Sequence, residues 1–148
     1  MARGVYPRPL PIERFMTKFE VCGACWVWTG EIMNSGYGRF HVGPKASDRK
    51  LAHVFSYEHF IGPVPDGMVI DHVEARGCRG YLCVNFDHLE AVTQQENVLR
   101  YKRRSHCIKR GHAMTPENTY IRIKDGAECH ECKACRNIAT ARYKARVR

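Results

Sequence analysis

Residues 67–101, GMVIDHVEARGCRGYLCVNFDHLEAVTQQENVLRY, contain the pattern that decides the fold of this chain. The run MVIDHV predicts a strand of about six residues that carries the polar pair Asp71-His72 at its end. The run TQQE, which begins at Thr93, is a capping box, in which two side chains satisfy backbone N–H groups reciprocally. It predicts a helix from about Gln94 onward. The segment therefore indicates strand, irregular loop, and then a capped helix.

The positive charge of the chain is concentrated in its last third. Among 148 residues there are 24 Lys or Arg and 15 Asp or Glu, a formal net charge of +9. Residues 100–148 hold 14 of these basic residues and four of the acids, so residues 1–99 are close to neutral. Because a merely solubilising surface would spread its charge more evenly, this distribution predicts a segment that faces nucleic acid.

Eight Cys and eight His indicate metal ligands rather than disulfides. The first residues contain no apolar stretch typical of a secretory signal, and no run of about eighteen apolar residues could span a membrane. We therefore expect an intracellular protein that is not secreted and has no membrane partner. In that compartment cysteines stay reduced and commonly bind metal.

A Cys/His segment lies within the basic region. Cys107-x4-His112 is followed by a predicted hairpin through YIRIKDG and then by Cys129-x2-Cys132-x2-Cys135. Turns that point pairs of ligands at one ion are typical of tetrahedral structural Zn²⁺. Five candidates exist for four places. We favour Cys107, His112, Cys132 and Cys135, which put the last ligand at the start of a basic helix, and Cys129 with Cys132 fits nearly as well.

The segment around Asp71-His72 resembles the HNH endonuclease family, whose active site is a ββα-metal motif. Phage and homing-type members show a similar strand ending in Asp-His, an HL or NL step, and then VT..EN. The segments CWVWTG, GYGRF, AHVFSYE and GPVPDG look like those that precede the motif, so the resemblance covers roughly residues 25–101. We expect a small, zinc-stabilised α+β protein with a ββα-metal catalytic core and a carboxyl-terminal zinc-knuckle segment. The resemblance also indicates a phage or mobile-element source, and hence the host cytoplasm.

Two registers could assign the three active-site positions of this family. The order of residue types H-N-H by itself would select His72, Asn85 and His88, but that set ends before the capped helix. The register His72, His88 and Asn97 is preferred, because Asn97 lies in the first turn after Thr93 and the family places its metal ligand on the helix. His88 stands where homing-type relatives commonly have Asn.

The resemblance implies a role for each of these residues. His72 would be the general base that deprotonates the attacking water, and His88 would hold the His72 ring in its productive tautomer. Asp71 and Asn97 would bind a divalent ion, and their oxygen ligands suit Mg²⁺ or Mn²⁺. The implied reaction is hydrolysis of a phosphodiester bond in double-stranded DNA.

A second structural zinc site is expected beside the active-site loop. Cys22-x2-Cys25 paired with Cys78-x4-Cys83 would make a reasonable Cys₄ site. The resemblance favours Cys25, His53, Cys78 and Cys83 instead, because the relatives keep the Cys before Trp, the His of the AH step and the Cys pair of the loop. Either set would tie the loop after His72 to the aromatic segments CWVWTG and GYGRF, which are expected to form strands.

Three parts of the chain follow from these patterns: an arm and short helix over 1–20, a nuclease core over 21–101, and a basic, zinc-binding, DNA-contacting module over 102–148. The expected DNA contacts lie at the end of the catalytic helix, in the linker and in the module: Arg100, Lys102, Arg103, Arg104, Lys109, Arg110, Arg136, Arg142 and Lys144. Since one active site cuts one strand, a double-strand break would require a homodimer or a second turnover.

The leading hypothesis is a metal-dependent DNA endonuclease or nickase with two structural Zn²⁺ ions and a catalytic Mg²⁺ or Mn²⁺. The alternative is a non-catalytic, zinc-dependent nucleic-acid-binding protein on the same scaffold. A disulfide-rich secreted effector is a third interpretation. The presence of Asp71, His72 and Asn97 together favours the enzyme.

Overall fold

The computed structural model describes residues 8–78, 80–107, 109–124 and 127–147, so most of the expected amino-terminal arm lies outside the described residues. Within these ranges the helices are α1 (Pro11–Met16), α2 (Ala52–Phe60), α3 (Gln94–Lys102) and α4 (Lys133–Arg146). The strands are β1 (Phe19–Cys22), β2 (Cys25–Trp28), β3 (Arg39–His41), β4 (Arg49–Leu51), β5 (Met68–His72), β6 (Leu89–Thr93), β7 (Thr119–Lys124) and β8 (Ala127–Cys132). Consecutive strands pair into antiparallel hairpins, and the expected small α+β class is confirmed.

The hairpin of β5 and β6 with helix α3 forms the expected strand–strand–helix unit. In its register Asp71 pairs with Glu90 and His72 with Leu89, so the polar pair lies at the open end of the hairpin. The Thr93 hydroxyl accepts a hydrogen bond from the backbone N–H of Glu96 at 3.2 Å and caps α3, which confirms the first of the two bonds of the capping box, while the Glu96 side chain pairs with Arg100. Helix α3 then packs back on both strands.

An aromatic core holds the amino-terminal half of the molecule together. Phe15, Trp28, Phe40 and Phe55 are buried, and each ring has at least two of the others with centroids 4.6 to 5.8 Å away. Tilted and edge-on pairs of this kind add about 0.5–1.5 kcal/mol each beyond their burial. A Cβ at Gly38 would lie 2.5 Å from the Trp28 ring, so only glycine fits there.

The carboxyl-terminal module has little apolar core of its own. Strands β7 and β8 pair in the hairpin expected around YIRIKDG, although residues 125–126 of its turn lie outside the described ranges. The side chains of β7 are exposed apart from a half-buried Thr119. Helix α4 follows β8 directly, and Cys132 is its N-cap residue. Among the described residues, no helix is long and apolar enough to cross a membrane.

Candidate active site and metal centres

Asp71 and His72 are buried at the end of β5, where they are 3% and 4% exposed. As consecutive strand residues they point to opposite faces of the hairpin. Of the five residues of β5 only the last three are buried, so the polar pair is less exposed to solvent than the apolar Met68 at the start of the strand. A carboxylate and an imidazole withdrawn from water in this way need specific partners, because an unpaired buried polar group is costly.

The ring of His72 is held by a backbone carbonyl. Its Nε2 lies 2.9 Å from the carbonyl oxygen of Cys83. A carbonyl oxygen only accepts hydrogen bonds, so Nε2 carries the proton and Nδ1 keeps a free lone pair. Burial lowers the pKa of His72 to about 4, so the ring is neutral at neutral pH. A neutral imidazole with a free nitrogen is able to accept a proton from a substrate or water.

Asp71 is paired with two arginines. Its Oδ1 accepts a hydrogen bond from Arg104 Nη2 at 2.6 Å, and its Oδ2 lies 3.7 Å from Arg100 Nη1. Oδ2 itself is buried without a hydrogen-bond partner. Burial raises the pKa of the Asp71 carboxyl, and the Arg104 guanidinium opposes this rise. One carboxylate oxygen is thus hydrogen-bonded, and the other has an ion-pair contact with Arg100 but no hydrogen bond, which leaves its lone pairs available to a cation.

Asn97 lies on the helix that covers this strand. It is half-buried in α3 and precedes Arg100 by one turn, and residues at this spacing share a helix face. Because Arg100 approaches Asp71, that face is directed towards the end of β5. Asn85, the middle residue of the alternative register, is engaged elsewhere, since its Nδ2 donates to the carbonyl oxygen of Ala24 at 2.8 Å.

Residues 73–88, between β5 and β6, form the active-site loop. Three buried side chains of this loop meet one from β2, and the four are Cys25, Cys78, Cys83 and His88. Their ligand atoms all lie within 4.8 Å of one another. His88 Nδ1 lies 3.7 Å from Cys25 Sγ and 3.4 Å from Cys83 Sγ. Three thiolates and an imidazole that converge on one point match the donor set and closed geometry of a structural zinc site. The group could therefore hold Zn²⁺.

Backbone hydrogen bonds to β2 bring this loop into place. The N–H of Trp28 donates to the carbonyl oxygen of Leu82 at 2.7 Å, and that of Val84 donates to Trp26 at 2.8 Å. The loop therefore runs alongside β2 like a short extra strand, with Cys83 opposite Val27. This pairing places Cys83 beside Cys25 and turns its carbonyl oxygen towards the candidate base.

The cluster differs from the set that the resemblance favoured, because it contains His88 and not His53. His53 is buried in α2 against the active site, with its ring centroid 4.8 Å from that of His72, and its Nδ1 has no hydrogen-bond partner. Cys22, the other alternative, is exposed at the end of β1. The contact expected between His88 and the His72 ring is made instead by the carbonyl of Cys83.

One signal in the sequence could have identified His88. Cys83-x4-His88 repeats the spacing of Cys107-x4-His112, which was recognised as a ligand pair in the carboxyl-terminal segment. The family's HL step points instead to a role for His88 at the active site, and spacing alone does not decide between the two roles.

The second cluster consists of Cys107, His112, Cys132 and Cys135, whose ligand atoms again lie within 4.8 Å of one another. His112 Nδ1 is 3.7 Å from Cys107 Sγ and 3.4 Å from each of the other two sulfurs. Cys129 precedes Cys132 by three residues on β8, and an odd spacing in a strand directs two side chains to opposite faces. The structure thus brings together the favoured four.

The thiol of Cys132 is prepared for ionisation. Burial disfavours its thiolate, but the backbone N–H of Cys135 and the ring of His112 outweigh this effect and lower its pKa to about 7. The Cys135 N–H donates to Cys132 Sγ at 3.5 Å, as an N-cap contact of α4. Since the thiolate is the form that binds metal, this contact favours metal binding at the start of the helix.

Most of the expected DNA-contacting residues line one cleft of about 1040 Å³ between the end of α3 and the carboxyl-terminal module. They are Lys102, Arg103, Arg104, Lys109, Arg110, Arg136 and Arg142. Arg100 lies outside the cleft and is paired with Glu90 at 2.6 Å and with Glu96 at 2.9 Å. Lys144 of α4 also lies outside the residues that line it.

Comparison with known proteins supports the resemblance noted in the sequence. Residues 50–99, from β4 to the middle of α3, match the HNH endonuclease family. The chain is 27% identical over 78 residues to the "Uncharacterized gene 5.3 protein" of Enterobacteria phage T3, an alignment that covers 51% of this chain and 73% of that protein. It is 37% identical over 73 residues to "Protein 7.7" of Escherichia phage T7, covering 49% of this chain and 51% of that protein. The chain therefore spans about half the length of the T7 relative. No solved structure matches the chain.

Proposed function

We propose, from the match of residues 50–99 to the HNH endonuclease family, that this chain is a metal-dependent DNA endonuclease or nickase. One observation carries the proposal. A buried carboxylate and a buried neutral imidazole stand on consecutive residues at the end of β5, and each has a free atom suited to its expected role. Asp71 offers Oδ2 to a cation, and His72 offers Nδ1 to a proton.

In the proposed mechanism His72 accepts a proton from the attacking water through Nδ1. The carbonyl of Cys83 keeps the ring in the required tautomer by accepting the Nε2 hydrogen bond. Asp71 and Asn97 would hold Mg²⁺ or Mn²⁺, and Oδ2 of Asp71, which is buried without a hydrogen bond, fits this role. When bound, such an ion neutralises charge on the scissile phosphate and on the leaving 3′-oxygen.

Each of the two Cys/His clusters is proposed to bind one structural Zn²⁺. Three thiolates and one imidazole fill a tetrahedral shell, so neither cluster leaves a position open for substrate. The first ion would fix the active-site loop, including the Cys83 carbonyl that orients His72. The second would supply folding free energy to residues 102–148, whose hairpin buries little apolar surface.

The basic cleft is proposed as the surface that holds the DNA backbone. Its lysines and arginines would neutralise phosphates and release counterions, so binding should weaken steeply with salt. The three-part division of the chain at residues 20 and 101 belongs to the same proposal, as does double-stranded DNA as the partner. A homodimer would be required only if both strands are cut in one event.

Nicking of supercoiled plasmid tests the proposal directly. Purified protein loaded with zinc is incubated with plasmid and Mg²⁺ or Mn²⁺, beside His72→Ala and the control His59→Ala. His59 is an exposed residue of α2 outside both clusters, so its variant should nick like the unmodified protein. Equal nicking by all three proteins, or by none, would overturn the proposed mechanism.

The alternative, a non-catalytic nucleic-acid-binding protein, gives a different result in the same experiment. It would bind the plasmid in a gel-shift assay but leave it supercoiled with either ion. Oδ2 of Asp71 favours the enzyme, because it is buried, lies 3.7 Å from Arg100 and accepts no hydrogen bond, which suits an oxygen that binds a cation.

A further inference from the structure

The cleft between α3 and the carboxyl-terminal module carries a large excess of positive charge. Among the residues that the structure describes, eight Lys or Arg side chains line it, against one carboxylate, Glu131. That carboxylate is already paired with Arg122 at 2.7 Å, so it does little to offset the charge within the cleft. A concave surface with this balance attracts phosphates strongly, because its walls focus the field.

Exposed tyrosines line the same cleft as these basic residues. Tyr101 is 45% exposed and Tyr143 is 68% exposed, and Tyr81 lies with them along the wall. The guanidinium of Arg104 lies 5.9 Å from the centre of the Tyr101 ring. Positive grooves with aromatic rings are typical of proteins that bind single strands, where bases stack on the rings and the groove follows the backbone.

The tyrosine rings of the cleft should bind single-stranded DNA more tightly than duplex DNA. In a duplex the faces of the bases are stacked on one another, so a tyrosine ring in a groove meets base edges, sugar and phosphate but no free base face. Unpaired bases present their faces and gain stacking energy from each ring. Charge alone would serve a duplex equally well, and the tyrosines therefore favour unpaired nucleotides.

The cleft leads to the candidate active site through Arg104. This residue lines the cleft and also bonds Asp71 Oδ1 at 2.6 Å and the backbone carbonyl of His72 at 3.2 Å. A strand lying in the cleft would thus reach the pair of residues at the end of β5. We propose that the cleft binds single-stranded DNA, so that the preferred substrate has unpaired nucleotides beside the cleaved bond; this rests on the proposed nuclease function.

Fluorescence anisotropy on the full chain tests this inference. Zinc-loaded His72→Ala protein, which should not cleave, is titrated without Mg²⁺ or Mn²⁺ into a labelled blunt duplex, the same duplex with a single-stranded tail, and the single strand alone. We expect the tailed duplex to bind about 10-fold more tightly than the blunt one. Equal affinity for the blunt and tailed duplexes would overturn the inference.

Two matched pairs of variants test the proposal further. The first pair tests whether a tyrosine ring stacks on bases, and the second tests whether a charge inside the cleft acts differently from a charge outside it. Tyr143→Ala should lose about 5- to 100-fold in affinity for the tailed duplex, while Tyr143→Phe, which keeps the ring, should bind like the parent. Arg142→Gln should reduce the preference for the tail. Lys144→Gln, on the same helix but outside the cleft, should weaken both duplexes alike and leave that preference unchanged. An unaltered tail preference in Tyr143→Ala would overturn the inference.

The outcome is distinguishable from that of the nicking experiment. If the unmodified protein nicks plasmid but shows no preference for the tail, the single-strand inference fails and the proposed nuclease stands. If the tail preference is present and depends on Tyr143 while no nicking occurs with either ion, the nuclease fails and the cleft remains a single-strand site.

Discussion

Replacing Arg104 by Gln should destabilise the protein and at the same time tighten its binding of a divalent ion. The guanidinium of Arg104 lies 2.6 Å from Asp71 Oδ1, and the two side chains are 11% and 3% exposed. Breaking a buried ion pair by removing one partner costs about 3–5 kcal/mol. Arg100, at 3.7 Å from the other oxygen, still offsets part of the charge, so we expect a loss of roughly 2 kcal/mol at neutral pH. For a chain of this length that loss lowers the melting temperature by about 4–8 °C.

The same substitution should strengthen the binding of a divalent cation to Asp71. Arg104 holds its positive charge at Oδ1 of Asp71, next to the Oδ2 atom that would bind the ion. Two unit charges about 4 Å apart repel by about 4 kcal/mol at an effective dielectric constant of 20. Water that enters in place of the guanidinium offsets much of this repulsion. We therefore expect Mn²⁺ to bind about 10-fold more tightly to Arg104→Gln, measured by isothermal titration calorimetry on zinc-loaded protein.

Two controls make this prediction refutable. Arg103→Gln removes the neighbouring charge, which is exposed, and should change neither the melting temperature nor Mn²⁺ affinity appreciably. Asp71→Asn combined with Arg104→Gln should be less destabilising than Arg104→Gln alone, since it removes the charge that was left unpaired. If Arg104→Gln behaves like Arg103→Gln in both measurements, the Asp71–Arg104 pair has no such role.

Three further predictions concern the metal centres and the base. His88→Ala should lose one of two zinc ions by elemental analysis while His53→Ala keeps both, and the reverse result would restore the set favoured by the resemblance. Cys132→Ser should likewise lose one zinc ion and Cys129→Ser none; loss from Cys129→Ser alone would place Cys129 in the site. Because burial lowers the pKa of His72 to about 4, its ring is neutral from pH 8 to pH 6 and becomes protonated only as the pH falls towards that value. The nicking rate should therefore not fall through protonation of His72 between pH 8 and pH 6. A fall in the rate towards acidic pH with a midpoint at the ordinary His pKa of about 6.5 would contradict the burial of the base.

Local patterns in the sequence were sufficient for β5, for helix α3 and for the favoured carboxyl-terminal cluster, whereas β6 was expected only through the family resemblance. A capping box determines where a helix begins because its bonds join residues three apart, and Thr93 caps α3 as expected. The ligands Cys132 and Cys135 likewise lie within one helical turn of each other, at the start of α4. Such features depend on neighbours in the chain and can be recognised without knowing how distant segments pack.

The first metal cluster and the orientation of the base depended on contacts between distant segments. His88 and His53 were both reasonable ligands from spacing or resemblance, and only the pairing of the loop with β2 showed which ring meets the sulfurs of Cys25 and Cys83. The same pairing aims the Cys83 carbonyl at His72, and no side-chain motif records where a backbone carbonyl points.

By itself, the sequence determined the class of fold, the catalytic dipeptide Asp71-His72 as a candidate, and the concentration of positive charge in the last third. Only the tertiary structure showed that this charge lines a cleft with exposed tyrosines and that Arg104 joins the cleft to Asp71. The reason is physical. Composition and spacing set which groups are present and how the chain turns locally, whereas the distance between two charges separated by 33 residues is set by the packing of the elements that carry them.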